Sequence, residues 1–215
     1  MKTAILFDLD GTLLDTLADL ADAVNETMRR YGCPEHSCRQ IRAMVGNGVR
    51  NLILSALPEE KKAMVDEILP YFRTYYAAHT RDKTCPYPGI PEAVEQLRRE
   101  YPVAVVSNKP DAQVKSLCRE FFGEIYALGE RADCPRKPAP DMIRRAMEAL
   151  GAERCVYVGD SEVDIKTAAN AGVPCLSVLW GFRDREVLEA AGAAHFCAAP
   201  EQLQNCIRKI PLKEE

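Results

Sequence analysis

The chain has 215 residues and a formal net charge of −4, with 28 lysine and arginine side chains against 32 aspartate and glutamate side chains. An apolar fraction of 47% and a charged fraction of 28% are typical of a globular protein, and they exclude collagen-like, low-complexity and disordered chains. There is no basic stripe and no apolar run near the ~20 residues of a membrane helix, so we expect neither a nucleic acid nor a membrane as a partner.

The nine cysteines are odd in number and scattered, and none forms a C-x-x-C pair. A disulfide framework or a structural zinc site needs closer, paired spacing. We therefore expect reduced thiols and a cytoplasmic protein. The sequence leaves the oligomeric state open.

Short apolar runs alternate with helix-length amphipathic segments along most of the chain. The runs predict strands at 4–7, 103–106, 156–158 and 174–178. The amphipathic segments predict helices at about 111–122, 139–150 and 162–171, each followed by a glycine. This alternation predicts an α/β fold with a Rossmann-like parallel sheet.

Residues 17–80 break that rhythm, because they show helical periodicity alone. One apolar stripe of this block runs through Met64, Ile68, Phe72 and Tyr75. We predict a small α-helical cap domain over 15–83, inserted into an α/β catalytic core made of 1–14 and 84–215.

Two carboxylates follow the first predicted strand, in Asp8-Leu9-Asp10-Gly11-Thr12. Open parallel sheets bind ligands at the carboxyl ends of their strands. Side chains alternate along a strand, so Asp8 and Asp10 are expected on the same side of its tip. The alternative is an ordinary strand-to-turn transition, in which Asp and Gly are common.

A second acidic motif, with Asp160 and Asp164, follows the strand at 156–158. Neighbouring strand tips converge, so Asp8, Asp10 and Asp160 are expected close together. Clustered carboxylates repel one another unless a cation neutralises them, and oxygen ligands suit Mg²⁺. The alternative role for Asp160 is to cap the following helix.

Two further segments offer groups that bind phosphate. Ser107 ends the strand at 103–106, and Lys137 precedes a proline at the entrance of another predicted helix. Alone, each is an ordinary helix entrance or a surface charge. A hydroxyl, an ammonium and a Mg²⁺ cluster on adjacent strand tips are together the parts that hold a phosphoryl group.

The motif order D-x-D-G-T, Ser, Lys-Pro and G-D-S-x-x-D resembles that of the haloacid dehalogenase-like superfamily of phosphohydrolases. The likeness covers essentially the whole chain, including an insertion that resembles the family's small helical cap. Segments 45–50, 158–164 and 179–183 resemble the phosphoglycolate phosphatase subgroup. The resemblance implies a Mg²⁺-dependent phosphatase that hydrolyses a small, phosphoglycolate-like phosphomonoester through an aspartyl-phosphate intermediate.

The resemblance also implies roles for individual residues. Asp8 would be the nucleophile, and Asp10 would be the general acid and then the base. The other implied catalytic residues, which would bind phosphoryl oxygens, are Ser107 and Lys137. Mg²⁺ would be held by the Asp8 carboxylate, the Asp10 backbone carbonyl and Asp160, with Asp164 orienting these ligands. The expected substrate-binding residues are Gly11, Thr12, Asn108 and Arg50. Arg50 is included because a guanidinium can grip both oxygens of a substrate carboxylate.

Two alternatives stay open. One is a phosphomutase on the same scaffold, which would return the phosphoryl group to a sugar. The other is a catalytically silent interaction protein that keeps the fold. Loss of Asp8, Asp10 or Lys137 would mark the silent protein, and all three are present.

Overall fold

The computed structural model describes residues 2–212, which form two compact units. Among these residues, an α/β unit comprises 2–14 and 86–212, and a helical unit comprises 15–85. Within the described residues, no helix is both long enough and apolar enough to cross a membrane.

The elements follow one another in chain order. The first part contains β1 (Thr3–Phe7), β2 (Leu14–Asp15), α1 (Leu17–Arg30), α2 (Cys38–Met44), α3 (Val49–Ala56), a 3₁₀ helix (Glu59–Met64), α4 (Val65–Ala78) and β3 (Cys85–Pro86). The second part contains α5 (Ile90–Arg98), β4 (Val103–Pro110), α6 (Asp111–Phe122), β5 (Tyr126–Glu130), α7 (Asp141–Leu150), β6 (Arg154–Gly159), α8 (Glu162–Ala171), β7 (Cys175–Val178), α9 (Arg185–Ala190), β8 (His195–Cys197), a second 3₁₀ helix (Pro200–Gln202) and α10 (Leu203–Arg208).

The α/β unit is built on a parallel sheet with the strand order β5-β4-β1-β6-β7-β8. The first strand therefore lies inside the sheet, between β4 and β6. From β1 the chain builds outwards on one side through β4 and β5, and then returns to build β6, β7 and β8 on the other side. The reversal brings the carboxyl ends of β1, β4 and β6 together, which is where open α/β sheets bind ligands. The predicted fold class is confirmed.

Both faces of the sheet are apolar and covered by helices. Alternate residues of β1 point to opposite faces, so Ile5 and Phe7 lie in one core while Ala4 and Leu6 lie in the other. Apolar side chains of α5, α6 and α10 complete the first core, and those of α7 and α8 complete the second. Burial on two faces explains why the central strands are continuous apolar runs.

The helical unit has its own core, formed by α1 to α4. A buried carboxylate, Asp19 of α1, accepts hydrogen bonds from the backbone N–H groups of Lys83 and Thr84 and from the Thr84 hydroxyl, at 2.7–3.1 Å. The start of α1 is thereby attached to the segment that leads out of this unit.

The structure differs from the sequence predictions in a few elements. The strands β2, β3, β5 and β8 and the helices α5, α9 and α10 are absent from the predicted set. In α4 the fully buried aromatic residue is Tyr76, whereas the predicted stripe runs through Tyr75, which is only partly buried. Tyr75 stacks instead on His79, with their ring centroids 4.3 Å apart.

Candidate active site

The first strand delivers Asp8 to the carboxyl edge of the sheet, where its side chain is almost completely buried. The backbone then turns back sharply, since the N–H groups of Thr12, Leu13 and Leu14 all donate to the Leu9 carbonyl. Gly11 makes this turn possible with a φ of 81°. A Cβ at Gly11 would also lie 2.3 Å from Asp160 Oδ2, so the glycine lets the turn pack directly on that carboxylate.

A buried ammonium joins Asp8 to a second carboxylate. Lys137 Nζ lies 2.9 Å from Asp8 Oδ1 and 2.8 Å from Asp164 Oδ1. It also donates to the hydroxyl of Tyr157 at 3.0 Å. The Tyr157 hydroxyl in turn lies 3.1 Å from both Asp164 Oδ1 and the Val106 carbonyl oxygen. Lys137 Nζ is therefore held by acceptors from the tip of β1, from β6 and from α8.

Asp164 is fixed at both of its oxygens. While Oδ1 contacts Lys137, Oδ2 accepts from the Ser161 hydroxyl at 2.6 Å and from the Ser161 N–H at 3.1 Å. This reciprocal arrangement is a capping box that starts α8. The same side chain thus begins a helix and positions Lys137.

Asp160 is held by the β1 turn and by the loop that follows β7. Its Oδ1 accepts from the Thr12 hydroxyl at 3.2 Å, and its Oδ2 accepts from the Phe182 N–H at 2.7 Å. The indole N–H of Trp180 donates to the Thr12 carbonyl at 3.0 Å. A Cβ at Gly181 would lie 2.3 Å from Asp160 Cβ, so this loop packs directly against the carboxylate.

The end of β4 supplies Ser107, Asn108 and Lys109, all of them buried. The register between β4 and β5 shifts between Val106 and Pro110, so these residues lie in an irregular part of the strand. The Asn108 amide pairs with the backbone of Lys137, accepting from its N–H at 2.9 Å and donating to its carbonyl at 3.0 Å. Lys109 Nζ donates to Asp10 Oδ1 at 2.9 Å.

The electrostatics of the site are set by burial. Burial raises the pKa of Asp8 to about 7; Lys137 opposes the rise, and Asp164 and Asp10 add to it. Burial raises the pKa of Asp160 to about 8, with further contributions from Asp164 and Asp8. For Lys137, burial lowers the pKa, but Asp164 and Asp8 outweigh burial, so that the net pKa lies above its ordinary value.

The donor set fits a hard divalent cation. Carboxylate oxygens of Asp8, Asp160 and Asp164 all lie within 4.8 Å of one another, and all three residues are buried. A single ammonium cannot balance three carboxylates, and burial together with the neighbouring carboxylates raises the pKa values of Asp8 and Asp160. Oxygen ligands favour Mg²⁺ or Ca²⁺ over softer metals.

The structure therefore brings together most of the predicted site residues of the α/β unit. Asp8, Lys137, Asp160 and Asp164 lie in one cluster, and Gly11 and Thr12 pack on Asp160. Their catalytic, metal-binding and substrate-binding roles stay predictions.

Arg50 lies in the helical unit, at the start of α3. Its guanidinium forms two hydrogen bonds of 2.9 Å with the carboxylate of Asp66, and both side chains are exposed. The Arg50 guanidinium thus already has a carboxylate partner within its own unit. To bind a substrate as predicted, it would have to exchange Asp66 for the substrate carboxylate.

Several residues of the site are absent from the predicted set. Tyr157 carries the one polar group in the predicted strand at 156–158, and a buried phenol needs a hydrogen-bond partner. That signal was available in the sequence. Lys109 lies in a predicted motif, but nothing in the sequence indicates its contact with Asp10. The contacts of Trp180 and Phe182 depend on the loop after β7, which sequence periodicity does not describe.

Comparison with known proteins agrees with this geometry. The family model of the haloacid dehalogenase-like hydrolases matches residues 5–178, which include Asp8, Ser107, Lys137 and Asp160. The chain belongs to the haloacid dehalogenase-like hydrolases. Its relatives identify it more narrowly as a phosphatase of that family, a phosphoric monoester hydrolase.

Three relatives illustrate the match. The phosphoglycolate phosphatase of Mesorhizobium japonicum is 33% identical over 94% of this chain and 95% of its own length. The phosphoglycolate phosphatase of Aquifex aeolicus is 33% identical over 83% of this chain and 85% of its own length. A crystal structure from Lactobacillus delbrueckii subsp. bulgaricus, provisionally assigned as a phosphoglycolate phosphatase, has a TM-score of 0.91 and 37% identity, covering 96% of this chain and 99% of that one.

The Tyr157 hydroxyl is expected to stabilise the fold through its contacts with Lys137, Asp164 and Val106. Tyr157→Phe should lower the free energy of unfolding by about 1–3 kcal/mol, because buried polar groups lose a partner. Urea denaturation measures the change. Tyr126→Phe, at a partly exposed position in β5, is the matched control and should stay within about 0.5 kcal/mol of the wild type. Equal stability of the two variants would contradict this role.

Proposed function

We propose that this phosphatase hydrolyses a small phosphorylated metabolite, a phosphoglycolate-like phosphomonoester, in a Mg²⁺-dependent reaction with an aspartyl-phosphate intermediate on Asp8. The observation that carries the proposal is the asymmetry of the Asp8 carboxylate. Both Lys137 Nζ and the Leu9 N–H contact Oδ1, at 2.9 and 2.7 Å. Among residues 2–212, no donor is hydrogen-bonded to Oδ2.

In the first step, Asp8 Oδ2 attacks phosphorus in line with the leaving group. A bond forms between Oδ2 and phosphorus, the ester P–O bond breaks, and Asp10 donates a proton to the leaving alkoxide. In the second step, Asp10 takes a proton from water as the water oxygen attacks phosphorus. The bond between Asp8 and phosphorus then breaks, which releases phosphate. Dividing the hydrolysis in this way replaces one difficult step with two easier ones.

Lys137 and Ser107 would bind the phosphoryl oxygens. The Lys137 ammonium is already fixed beside the attacking carboxylate, so it balances the charge of Asp8 and of the incoming phosphoryl group without moving. Preorganised charge of this kind lowers the barrier because the site does not rearrange during the reaction.

The Asp8 carboxylate, the Asp10 backbone carbonyl and Asp160 would hold the magnesium ion. When bound, the ion supplies positive charge that neutralises the clustered carboxylates and the phosphoryl oxygens. The buried oxygen-only donor set supports this assignment. Asp164 keeps its neighbours in place, since both of its oxygens are engaged by Lys137 and Ser161.

The substrate class rests on the relatives, which are named for phosphoglycolate. A small phospho-acid carries a carboxylate at the end that does not react. Arg50 of the helical unit would bind this carboxylate in exchange for Asp66, whose carboxylate it grips with the same bidentate geometry.

Replacing Asp8 tests the nucleophile. Asp8→Asn should leave the fold intact and reduce kcat by roughly 10³-fold or more, because an amide is a poor nucleophile. Steady-state phosphate release from phosphoglycolate measures the loss. Asp82→Asn, an exposed position in the helical unit, is the control and should behave as the wild type. Turnover by Asp8→Asn at a comparable rate would rule out the assignment.

Removing the metal tests the proposed dependence of the activity on Mg²⁺. Activity should disappear with EDTA and return with Mg²⁺. Stabilisation by Mg²⁺, measured as a shift in Tm, should require about tenfold or more Mg²⁺ at pH 6 than at pH 8, because bound protons must leave before the cation binds. The direction of this pH dependence follows from the raised pKa values in the metal-free site, about 7 for Asp8 and about 8 for Asp160. Both carboxyl groups are therefore more protonated at pH 6 than at pH 8. Full activity after exhaustive chelation would contradict Mg²⁺ dependence.

Arg50→Ala tests recognition of the substrate. The variant should lose roughly tenfold to a hundredfold in kcat/KM for phosphoglycolate, because a charged hydrogen-bonded contact contributes about 1.5–3 kcal/mol. It should lose much less for 4-nitrophenyl phosphate, which has no carboxylate. Arg42→Ala, in α2 of the same unit, is the control. Equal losses on both esters would assign Arg50 to the stability of the helical unit through Asp66.

A further inference from the structure

A second lysine, Lys109, is buried near the first and is directed to a different carboxylate. Its side chain is 2% exposed, and its Nζ donates to Asp10 Oδ1 at 2.9 Å. Asp10 is itself only 15% exposed at its side chain. A buried ammonium is costly unless it is paired, so this contact fixes the position of both groups.

The backbone around Lys109 is also held firmly. The Lys109 N–H donates to the Ser107 hydroxyl at 3.4 Å. A Cβ at Gly129 would lie 2.6 Å from the Lys109 carbonyl oxygen, so β5 packs tightly against this part of β4. The Gly129 N–H donates to Asp111 Oδ1 at 3.0 Å, which ties the start of α6 to the same place. The ammonium therefore projects from a rigid base.

We propose that Lys109 is a positioning residue for Asp10: it binds Oδ1 and so presents Oδ2 for proton transfer to and from the substrate. The only hydrogen bond to the Asp10 carboxylate from residues 2–212 is on Oδ1. The two buried lysines then have separate tasks, Lys137 on the nucleophile Asp8 and Lys109 on the acid and base Asp10.

This inference rests on the proposed function, because it assigns Lys109 to a step of that reaction. It predicts a dependence on the leaving group. An alkoxide needs a proton as it leaves, whereas 4-nitrophenolate leaves without one. A residue that acts through Asp10 should therefore matter for the first ester and much less for the second.

The experiment compares kcat/KM of Lys109→Met on phosphoglycolate and on 4-nitrophenyl phosphate. The ratio kcat/KM reports steps up to the formation of the aspartyl-phosphate, so a slow second step common to both esters does not obscure the comparison. The loss of kcat/KM on phosphoglycolate should exceed the loss on 4-nitrophenyl phosphate by about tenfold or more. General acid–base catalysis contributes about 10²–10⁴-fold to a rate, and mispositioning Asp10 should remove part of that factor. If the wild type prefers another alkyl phosphate, that ester replaces phosphoglycolate.

Two further measurements separate this role from others. In an Asp10→Asn background, Lys109→Met should cause less than about a threefold further loss, because residues that act as a unit are not additive. The affinity for inorganic phosphate, measured by calorimetry, should be unchanged, since phosphoryl binding is assigned to Lys137 and Ser107. Lys115→Met, at an exposed lysine of α6, is the matched control and should behave as the wild type.

Equal losses on both esters, or a large loss of phosphate affinity, would overturn the proposal and make Lys109 a phosphate ligand or a purely structural residue. Lys109→Gln, which keeps a donor without the charge, replaces Lys109→Met if circular dichroism shows that the methionine variant does not fold. A wild type that hydrolyses neither ester refutes the proposed function and this inference with it, whereas an active wild type with equal losses refutes the role of Lys109 alone.

Discussion

The contact of one buried ammonium with two carboxylates organises this site. Lys137 Nζ lies within 2.9 Å of both Asp8 and Asp164, in a region that water hardly reaches. None of the three charges is stable there alone, because a buried charge without a partner is strongly destabilising. The tip of β1, the strand β6 and the helix α8 therefore depend on the same group of side chains.

The backbone also packs closely around the carboxylate cluster. The cluster holds more carboxylates than ammonium groups, so it attracts positive charge. Gly159 supports Asp164 so closely that a Cβ there would lie 2.4 Å from Asp164 Cβ. A Cβ at Gly181 would likewise lie 2.3 Å from Asp160 Cβ. At both positions the glycine is needed for close approach of a carboxylate, since neither has a positive φ.

The sequence predicts the centre of the sheet better than its edges. The strands β1, β4 and β6 are apolar runs buried on two faces, and that pattern is visible without a structure. The strand β5 contains Gly129 and lies at one edge, while β8 has three residues and lies at the other. Gly129 and Glu130 interrupt the apolar run of β5, and β8 is too short to show periodicity, which is why both are absent from the predicted set.

For the site, the rule that ligands bind at strand tips was sufficient to select Asp8 and Asp160, whereas Lys137 was selected only as part of the whole set and through the family resemblance. It could not indicate which lysine meets which carboxylate. The pairing of Lys109 with Asp10 depends on an irregularity in β4, and the contact of Tyr157 with Lys137 depends on which face of β6 the tyrosine occupies. Such pairings are properties of three-dimensional packing, and local sequence patterns do not contain them.

The position of β1 in the sheet has a consequence for how the chain folds. The ribosome synthesises β1 before the two strands that pair with it. These neighbours, Val103–Pro110 and Arg154–Gly159, follow much later in the chain. During synthesis both edges of this mostly apolar strand stay unpaired while the helical unit emerges. Unpaired apolar edges favour aggregation, and distant pairing slows folding. The insertion that separates β1 from the rest of the sheet therefore lengthens the time for which the edges of β1 stay unpaired in a nascent chain.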